Sequence, residues 1–353
     1  MSLFNKRKPL VGLDIGSSSV KAVELSRSKK GYQLTGFAWE SLNPDIVVDG
    51  AIMDAPAMAA SIRETLAAGK FKPKRVATGV SGHSVIVKRV VVPAANSDEV
   101  EASIQLDAEQ YIPFELSEVH LDYQVVGPST TTGDEPGMEV VLVAAKRDKI
   151  HNHTNVIGLA GRRPEVVDID AFALQNAFEA NYSVDENATV ALLNIGASLM
   201  NINITKRGMP LFIRDVPVGG NQYTDILQKE LQLSFQEAED LKLGKNGGTE
   251  AEMVQSLLES ITDMLCTEVQ KTFDFFRETY PRETINHVFI SGGTSHMHGL
   301  AAKIQDTFGF PTDVLNPFRS IELGPKVDAA ALTSLGPSLA VAVGLALRGW
   351  NDD

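Results

Sequence analysis

Cysteine is almost absent from this chain of 353 residues, which has only Cys266. One cysteine excludes a disulfide within the chain and any zinc site built from several thiolates, and it fits a reducing cytoplasm. Basic residues are also few, because 32 lysines and arginines stand against 45 aspartates and glutamates and leave a net charge of −13. A protein that binds nucleic acid needs a basic surface to neutralise phosphates, so this charge argues against that class.

Long hydrophobic runs are missing too. The first ten residues carry three basic residues, but no apolar stretch of a signal peptide follows them. The longest uncharged stretch, 329–347, contains Gly336, Pro337 and three hydroxyl residues. It therefore falls short of the roughly 20 predominantly apolar residues that a membrane span needs. We expect no membrane anchor in this chain, and a buried helix over 338–347.

The order of apolar segments predicts an α/β protein with two similar halves. Segments 10–15, 19–25 and 31–39 are predicted strands, and 189–195, 199–205 and 210–217 repeat that opening. Between them, residues 84–161 carry a β-α-β-β-α pattern that looks like a compact insertion. An apolar stripe over 250–280, from Met253 to Tyr280, predicts one long helix packed in the core.

Three turns of small residues follow apolar strands. The first is Asp14-Ile15-Gly16-Ser17-Ser18, followed by Lys21, and Asn194-Ile195-Gly196-Ala197-Ser198 repeats its form 180 residues later. The third is Gly292-Gly293-Thr294, which lies between a predicted strand over 287–290 and a predicted helix over 297–308. A repeat at this separation is what a duplicated domain with a cleft between its halves would leave.

These turns have the chemistry of a phosphate site. Glycine permits a tight turn, whose successive N–H groups can converge on an anion, and serine hydroxyls add donors. Asp14 offers carboxylate oxygen to Mg²⁺, which keeps several of its waters, and Lys21 can reach a phosphate as a point charge. Two such turns facing each other would hold a phosphate chain from both sides.

On these residues the sequence resembles the ATPase superfamily of actin, the heat-shock chaperones and the sugar kinases. The resemblance implies two ribonuclease H-like domains around a nucleotide cleft, with ATP or ADP and Mg²⁺ as cofactors. It implies that Asp170 positions the attacking water and that Asp14 binds Mg²⁺ through water. The residues that it implies for nucleotide binding are Asp14, Gly16, Ser17, Ser18, Lys21, Asn194, Gly196, Ala197, Ser198, Gly219, Gly220, Glu239, Lys242, Gly292, Gly293 and Thr294.

A more specific similarity is to the PilM family of type IV pilus assembly, carried by segments 12–21, 109–114 and 336–348. It implies an insertion like that of the cell-division protein FtsA. It also implies an ATP-binding cytoplasmic scaffold that binds the short N-terminal peptide of PilN in a groove bordered by the insertion. FtsA has an amphipathic membrane helix at its C-terminus, whereas this chain stops six residues after Leu347. PilN would then hold it at the inner membrane. The assembly and retraction ATPases of the pilus are further candidate partners, and self-association is left open.

One position departs from the family pattern. The second phosphate loop usually has Asp, and here it has Asn194. An amide can accept a hydrogen bond from a metal-bound water, but it brings no negative charge to Mg²⁺ or to water activation. We therefore expect weak or absent hydrolysis, with nucleotide setting the shape of the cleft.

Two other functions stay open at this stage. A small-molecule kinase of the same superfamily would need a carboxylate base in the inserted region, where Asp107, Glu109 and Asp122 are available. A filament-forming protein is the other. Whichever function applies, we expect a first domain at 1–83 and 164–185, an insertion at 84–163, a second domain at 186–335 and a C-terminal helix at 336–353 that packs on the first domain.

Overall fold

The computed structural model describes residues 9–29, 31–129, 137–245 and 251–350. In chain order, the strands are β1 (Val11–Ile15), β2 (Ser19–Ser28), β3 (Gly31–Ser41), β4 (Val47–Val48), β5 (Ala51–Ile52), β6 (Arg75–Val80), β7 (Val85–Val92), β8 (Val119–Pro128), β9 (Met138–Lys146), β10 (Arg163–Ile169), β11 (Thr189–Ile195), β12 (Met200–Lys206), β13 (Met209–Val216), β14 (Ile285–Ser291), β15 (Thr312–Val314) and β16 (Glu322–Leu323). The helices are α1 (Ala55–Ala68), α2 (Ser97–Tyr111), α3 (Arg147–Leu159), α4 (Asp170–Asn181), α5 (Gly220–Leu231), α6 (Phe235–Lys242), α7 (Ala251–Thr279), α8 (Leu300–Phe308), α9 (Ala329–Leu335) and α10 (Ala340–Leu347).

The first sheet has the strand order β10-β6-β1-β2-β3-β16. Strands β1, β2 and β3 are antiparallel, whereas β6 is parallel to β1 and β10 is parallel to β6. Helices α1 and α3 cover one face through Met58, Ile62 and Val156. Helix α10 covers the other face through Val343 and Ala346. Because both faces are buried, β1 and β6 are almost continuously apolar.

The second sheet repeats this plan in the order β13-β12-β11-β14-β15. Strands β11, β12 and β13 are antiparallel, and β14 joins β11 in parallel. Helices α7 and α8 cover one face through Leu265, Phe273 and Leu300. On the other face Leu174 and Phe178 of α4 pack. Since α4 also packs against α10, these two helices join the two halves.

A third sheet, in the order β7-β9-β8, belongs to the inserted block. Helix α2 covers it with Val100 and Ile104, and Asn96 caps that helix by accepting the N–H of Asp98 at 3.0 Å. Helix α3, which completes the block in sequence, contacts β9 but packs mainly with α1 in the core of the first sheet. The insertion therefore shares its last helix with the first half of the protein.

Two expectations about helices need correction. In the stripe over 250–280, Leu265 and Phe276 are buried, but Met253 is 46% exposed because the first turns of α7 extend beyond the second sheet. The helix expected from 297 begins at Leu300, because Gly299 has a left-handed backbone with φ of 76°.

The apolar stretch Ala329–Leu347 has a mean hydropathy of 1.8 over 19 residues, enough to cross a membrane by length and composition alone. However, 67% of this window is buried inside the protein. A 3₁₀ turn at Gly336–Leu339 separates α9 from α10, and all eight residues of α10 are buried. Helix α10, at the end of this stretch, is the buried helix that the sequence predicted over 338–347.

Candidate functional site

A cleft of about 1810 Å³ lies between the first and second sheets. The turns after β1, β11 and β14 open onto it. The predicted site residues in its wall are Asp14, Gly16, Ser17, Ser18, Lys21, Asp170, Asn194, Gly196, Ala197, Ser198, Gly220, Glu239, Lys242, Gly292, Gly293 and Thr294. Gly219 is the exception, since it lies behind the wall against the backbone of Gly196 and Ala197.

The first turn joins β1 to β2 and carries an ion pair. Asp14 and Lys21 are cross-strand partners, and Lys21 Nζ donates to Asp14 Oδ2 at 3.0 Å. The Gly16 N–H closes the turn by donating to the Ser19 carbonyl at 3.0 Å. The side chains of Lys21 and Asp14 are only 12% and 14% exposed, so both charges are held in place where a phosphate or a hydrated cation could meet them.

The second turn, between β11 and β12, has the same geometry without the charges. Asn194 and Asn201 are its cross-strand partners, and Asn194 Nδ2 donates to Asn201 Oδ1 at 3.0 Å. The Gly196 N–H closes the turn by donating to the Leu199 carbonyl at 2.9 Å. An amide pair therefore stands where the first half has an ion pair.

The two turns touch across the cleft, where Ser198 Oγ donates to Ser17 Oγ at 2.8 Å. Within the described residues, no protein acceptor takes the backbone N–H groups of these turns at Ser17, Ser18, Ala197 and Ser198. Unpaired N–H groups on facing glycine turns are the donors that a phosphate chain requires. The residues present therefore fit a phosphate group between the two turns.

Asp170 begins α4 at the floor of the cleft and accepts a hydrogen bond from Ser81 Oγ at 2.5 Å. Burial and the nearby charge of Asp14 raise the pKa of Asp170 to about 7, although the Ser81 hydroxyl opposes this. A carboxylate with a pKa near neutrality can take a proton from water. This chemistry suits a residue that positions a water, and that role stays a prediction.

Asp215 of β13 is a cleft residue that sequence reasoning missed. Its Oδ1 accepts from Asn201 Nδ2 at 2.7 Å, and its Oδ2 accepts the Gly82 N–H at 2.5 Å. The pKa of Asp215 is raised, because the effect of burial outweighs these hydrogen bonds and the charge of Lys149, which lower it. The one acidic residue of a mostly apolar strand, shortly before Gly219, was the signal available in the sequence.

Lys149 of α3 was missed as well. It lines the cleft, its Nζ donates to the Gly50 carbonyl at 2.7 Å, and burial lowers its pKa against the charges of Asp170, Asp148 and Asp215. The sequence shows only a lysine on a predicted helix, so no local signal marked it.

The third turn supports the second. Gly292 has a left-handed backbone, with φ of 86°, and a Cβ there would overlap the Ile195 carbonyl. Thr294 Oγ1 and the Gly220 N–H both donate to the Gly196 carbonyl, at 2.8 and 2.9 Å. The carbonyl side of the second turn is therefore occupied, which leaves its N–H groups free to face the cleft.

Glu239 and Lys242 of α6 form an ion pair on the cleft wall. Thr224 of α5, which is buried, hydrogen-bonds to Glu239 and accepts from Lys242 Nζ at 2.9 Å. Thr224 had no signal in the sequence, yet its hydroxyl holds both charged side chains in place. The sequence resemblance implies that both residues of this pair bind nucleotide.

No group of three or more His, Cys, Asp or Glu side chains among the described residues is arranged to hold a metal ion. Asp14 is a single carboxylate at the first turn. Mg²⁺ commonly takes one or two carboxylates together with waters and substrate phosphates. The site therefore fits Mg²⁺ only together with a bound phosphate chain.

The carboxylates proposed for a kinase lie elsewhere. Within the described residues, none of Asp107, Glu109 and Asp122 lines the cleft. Asp107 accepts from Gln110 on α2, and Asp122 accepts the N–H of Tyr123. The kinase alternative therefore has no base at the inserted positions it required.

Comparison with known proteins agrees with this geometry. The model of a family described as type IV pilus assembly protein PilM matches residues 12–350. A solved structure described as the PilM-PilN type IV pilus biogenesis complex is similar with a TM-score of 0.86 and 27% identity, over 98% of this chain and 100% of that chain.

Two more distant proteins share the fold. MreB5 of Spiroplasma citri, solved bound to ADP, has a TM-score of 0.52 and 13% identity, over 96% of this chain and 94% of that chain. Cell division protein FtsA of Bacillus subtilis (strain 168) is 22% identical over 260 residues, which are 68% of this chain and 58% of FtsA. The chain thus spans less than two thirds of that relative. The predicted actin-like fold, with its relation to FtsA, is confirmed.

Proposed function

Since this chain belongs to the PilM family of type IV pilus assembly proteins, we propose that it is a nucleotide-binding scaffold of the pilus assembly platform. ATP or ADP would occupy the cleft, with Mg²⁺ held through water by Asp14. The observation that carries this proposal is the pair of facing glycine turns, joined by the hydrogen bond from Ser198 to Ser17 at 2.8 Å. Lys21 supplies the positive charge beside them.

Each part of the nucleotide has candidate partners in the cleft wall. The free N–H groups of the two turns suit the phosphates, and Glu239 with Lys242 suits the ribose and the base. Bound Mg²⁺ would neutralise phosphate charge. An acidic protein would in this way hold a polyanion with backbone N–H groups and one lysine, without a basic surface.

We infer that hydrolysis is weak. Asn194 brings no charge to the second turn, and its Nδ2 is engaged by Asn201. Asp170 can still orient a water, since its carboxylate lies at the cleft floor with a pKa of about 7. A single-turnover ATPase rate well above background that is unchanged in Asp170→Ala would contradict this part.

The partner in this proposal is the N-terminal peptide of PilN. The support is the similarity, over nearly the whole chain, to a protein solved in a PilM-PilN complex. Binding that peptide would place the protein at the periphery of the inner membrane. We keep the boundaries 1–83, 84–163, 164–185, 186–335 and 336–353 as the proposed domain division, with the peptide groove bordered by the insertion.

The test is a calorimetric titration of a PilN N-terminal peptide into the purified protein, without nucleotide and with Mg-ATP or Mg-ADP. We expect specific binding whose affinity changes by about fivefold or more with nucleotide, the usual range of coupling between two sites. A scrambled peptide and the variant Lys21→Ala are the controls for peptide specificity and nucleotide dependence. No binding in any state would remove the scaffold function, whereas binding that ignores nucleotide would remove only the coupling.

A further inference from the structure

A chain of hydrogen bonds leads from the second turn to the entrance of the inserted sheet. Asn194 Nδ2 donates to Asn201 Oδ1 at 3.0 Å, and Asn201 Nδ2 donates to Asp215 Oδ1 at 2.7 Å. The other oxygen, Asp215 Oδ2, accepts the N–H of Gly82 at 2.5 Å. Gly82 lies three residues before Val85, the first residue of β7. The three side chains lie on neighbouring strands, since Asn201 pairs with both Asn194 and Asp215.

The donor and acceptor roles in this series of hydrogen bonds are fixed at the Asp215 end. A backbone N–H can only donate, and both oxygens of an ionised carboxylate can only accept. Asn201 must therefore point its NH₂ group at Asp215, which leaves its oxygen to accept. Asn194 must in turn point its own NH₂ group at Asn201, so its oxygen is the atom that stays free.

The free oxygen of Asn194 lies on the nucleotide side. Asn194 lines the cleft, and its Oδ1 is close enough to the third turn that a Cβ on Gly292 would lie 2.8 Å from it. In the first half of the protein the equivalent position is Asp14, whose oxygens can only accept whatever surrounds them. In the second half, the amide of Asn194 could turn either its oxygen or its NH₂ group toward the cleft. The carboxylate of Asp215, two strands away, determines which of the two it is.

We propose that Asp215 is a positioning residue of the nucleotide site, because through Asn201 it turns the amide oxygen of Asn194 toward the cleft, where it accepts a hydrogen bond from a water of bound Mg²⁺. This inference rests on the nucleotide site proposed above. Asp215 itself does not touch the ligand.

The substitution Asp215→Asn tests the direction of the chain. The Gly82 N–H still requires an acceptor, so the new amide turns its oxygen to Gly82 and its NH₂ group to Asn201. Asn201 then has to accept with its oxygen and donate to Asn194, which turns its NH₂ group toward the cleft. A donor facing a metal-bound water replaces an acceptor, while the contact to Gly82 and the packing are kept.

The experiment measures the affinity of the full chain for ADP by calorimetry, with Mg²⁺ and with EDTA. Wild type should bind ADP more tightly with Mg²⁺. In Asp215→Asn the Mg²⁺-dependent affinity should fall by about tenfold, the usual cost of losing a group that orients a metal's environment, and the affinity in EDTA should stay within about twofold.

Two further variants separate the effect of amide orientation from the effect of the Asp215 charge and from that of packing. Asn201→Leu keeps the charge of Asp215 but removes the middle link, so it should also lose Mg²⁺-dependent affinity. Thr205→Val, on the same strand and equally buried, removes a hydroxyl that bonds only the Met209 carbonyl, and it should leave both affinities unchanged. Thermal melting checks that each variant is folded.

Each result decides the matter. Mg²⁺-specific losses in Asp215→Asn and Asn201→Leu, but not in Thr205→Val, support the role of Asp215. A loss of affinity in Asp215→Asn alone would point to the charge of Asp215 and overturn the proposal that it acts through Asn201. An unchanged Mg²⁺ dependence in both variants, or an equal loss in Thr205→Val, would overturn the proposal as well. Wild-type binding that ignores Mg²⁺ overturns this inference and leaves nucleotide binding intact, whereas no binding of ADP overturns both.

Discussion

The carboxyl group of Asp170 should cost the protein stability, and more so at alkaline pH. Its pKa is raised to about 7 by burial and by Asp14, whereas the same group in an unfolded chain titrates near 3.8. The folded protein therefore binds the proton more tightly than the unfolded chain does. The contribution of this group to the free energy of unfolding is therefore most favourable below pH 4, and it is lost as the pH rises through 7. Asp170→Asn removes that loss while keeping an acceptor for Ser81.

The size of the effect follows from the two pKa values. Each unit of difference is worth about 1.4 kcal/mol. At pH 8.5 the group is ionised in both states, and the full difference of about three units gives an upper bound of about 4 kcal/mol. At pH 5.5 only the unfolded chain is ionised, and the cost is about 2 kcal/mol. Water in the open cleft reduces both figures, so we expect Asp170→Asn to gain about 1 kcal/mol more at pH 8.5 than at pH 5.5.

Differential scanning calorimetry at the two pH values measures this difference, which corresponds to about 2 °C in Tm for a chain of this size. The control is Asp306→Asn on the exposed side of α8, whose effect on Tm should be the same at the two pH values. Equal gains for Asp170→Asn at both pH values, or the same pH dependence in Asp306→Asn, would refute the burial of this charge.

Three more outcomes follow from single positions. Asn194→Asp adds a carboxylate at the second turn and should raise the rate of single-turnover ATP hydrolysis measured by rapid quench; an unchanged rate would contradict the reason given for weak hydrolysis. Gly344→Ala would push a Cβ into a backbone carbonyl of α4 and should lower the free energy of unfolding by about 1–3 kcal/mol, whereas Gly158→Ala on α3, with no atom within 4 Å, should not. His153 is buried with its pKa lowered to about 4, so stability should fall as the pH drops from 7 toward 4, and His153→Gln should remove up to about 2 kcal/mol of that loss at pH 5, unlike the exposed His151→Gln.

The parts of the fold that local spacing encodes were predicted well. The three glycine turns and the buried helix near the C-terminus each depend on a few neighbouring residues. The repeat of the first turn at Asn194 was enough to place two halves around one cleft. Such features are written in consecutive residues, so a single sequence contains them.

The parts of the site that were missed depend on residues far apart in the chain. Asp215 matters because Gly82, more than one hundred positions earlier, donates to it. Lys149 reaches the cleft because α3 packs mainly on α1 and the first sheet. Thr224 of α5 holds Glu239 and Lys242, which lie on the following helix, α6. No pattern of neighbouring residues reports such contacts, since they are set by packing between elements.

The burial of α10 also has a consequence for synthesis of the protein. Val341 and Leu345 of α10 pack against Leu10, which directly precedes β1, and against Ala77 of β6, although most of the chain separates them. That sheet therefore keeps one apolar face uncovered on the ribosome until residues 340–347 have been made. Contacts of such long sequence separation slow folding, and an uncovered sheet face favours aggregation. Translation that stops before these residues should yield an insoluble product, even though the nascent chain already contains all three glycine turns and the whole inserted sheet.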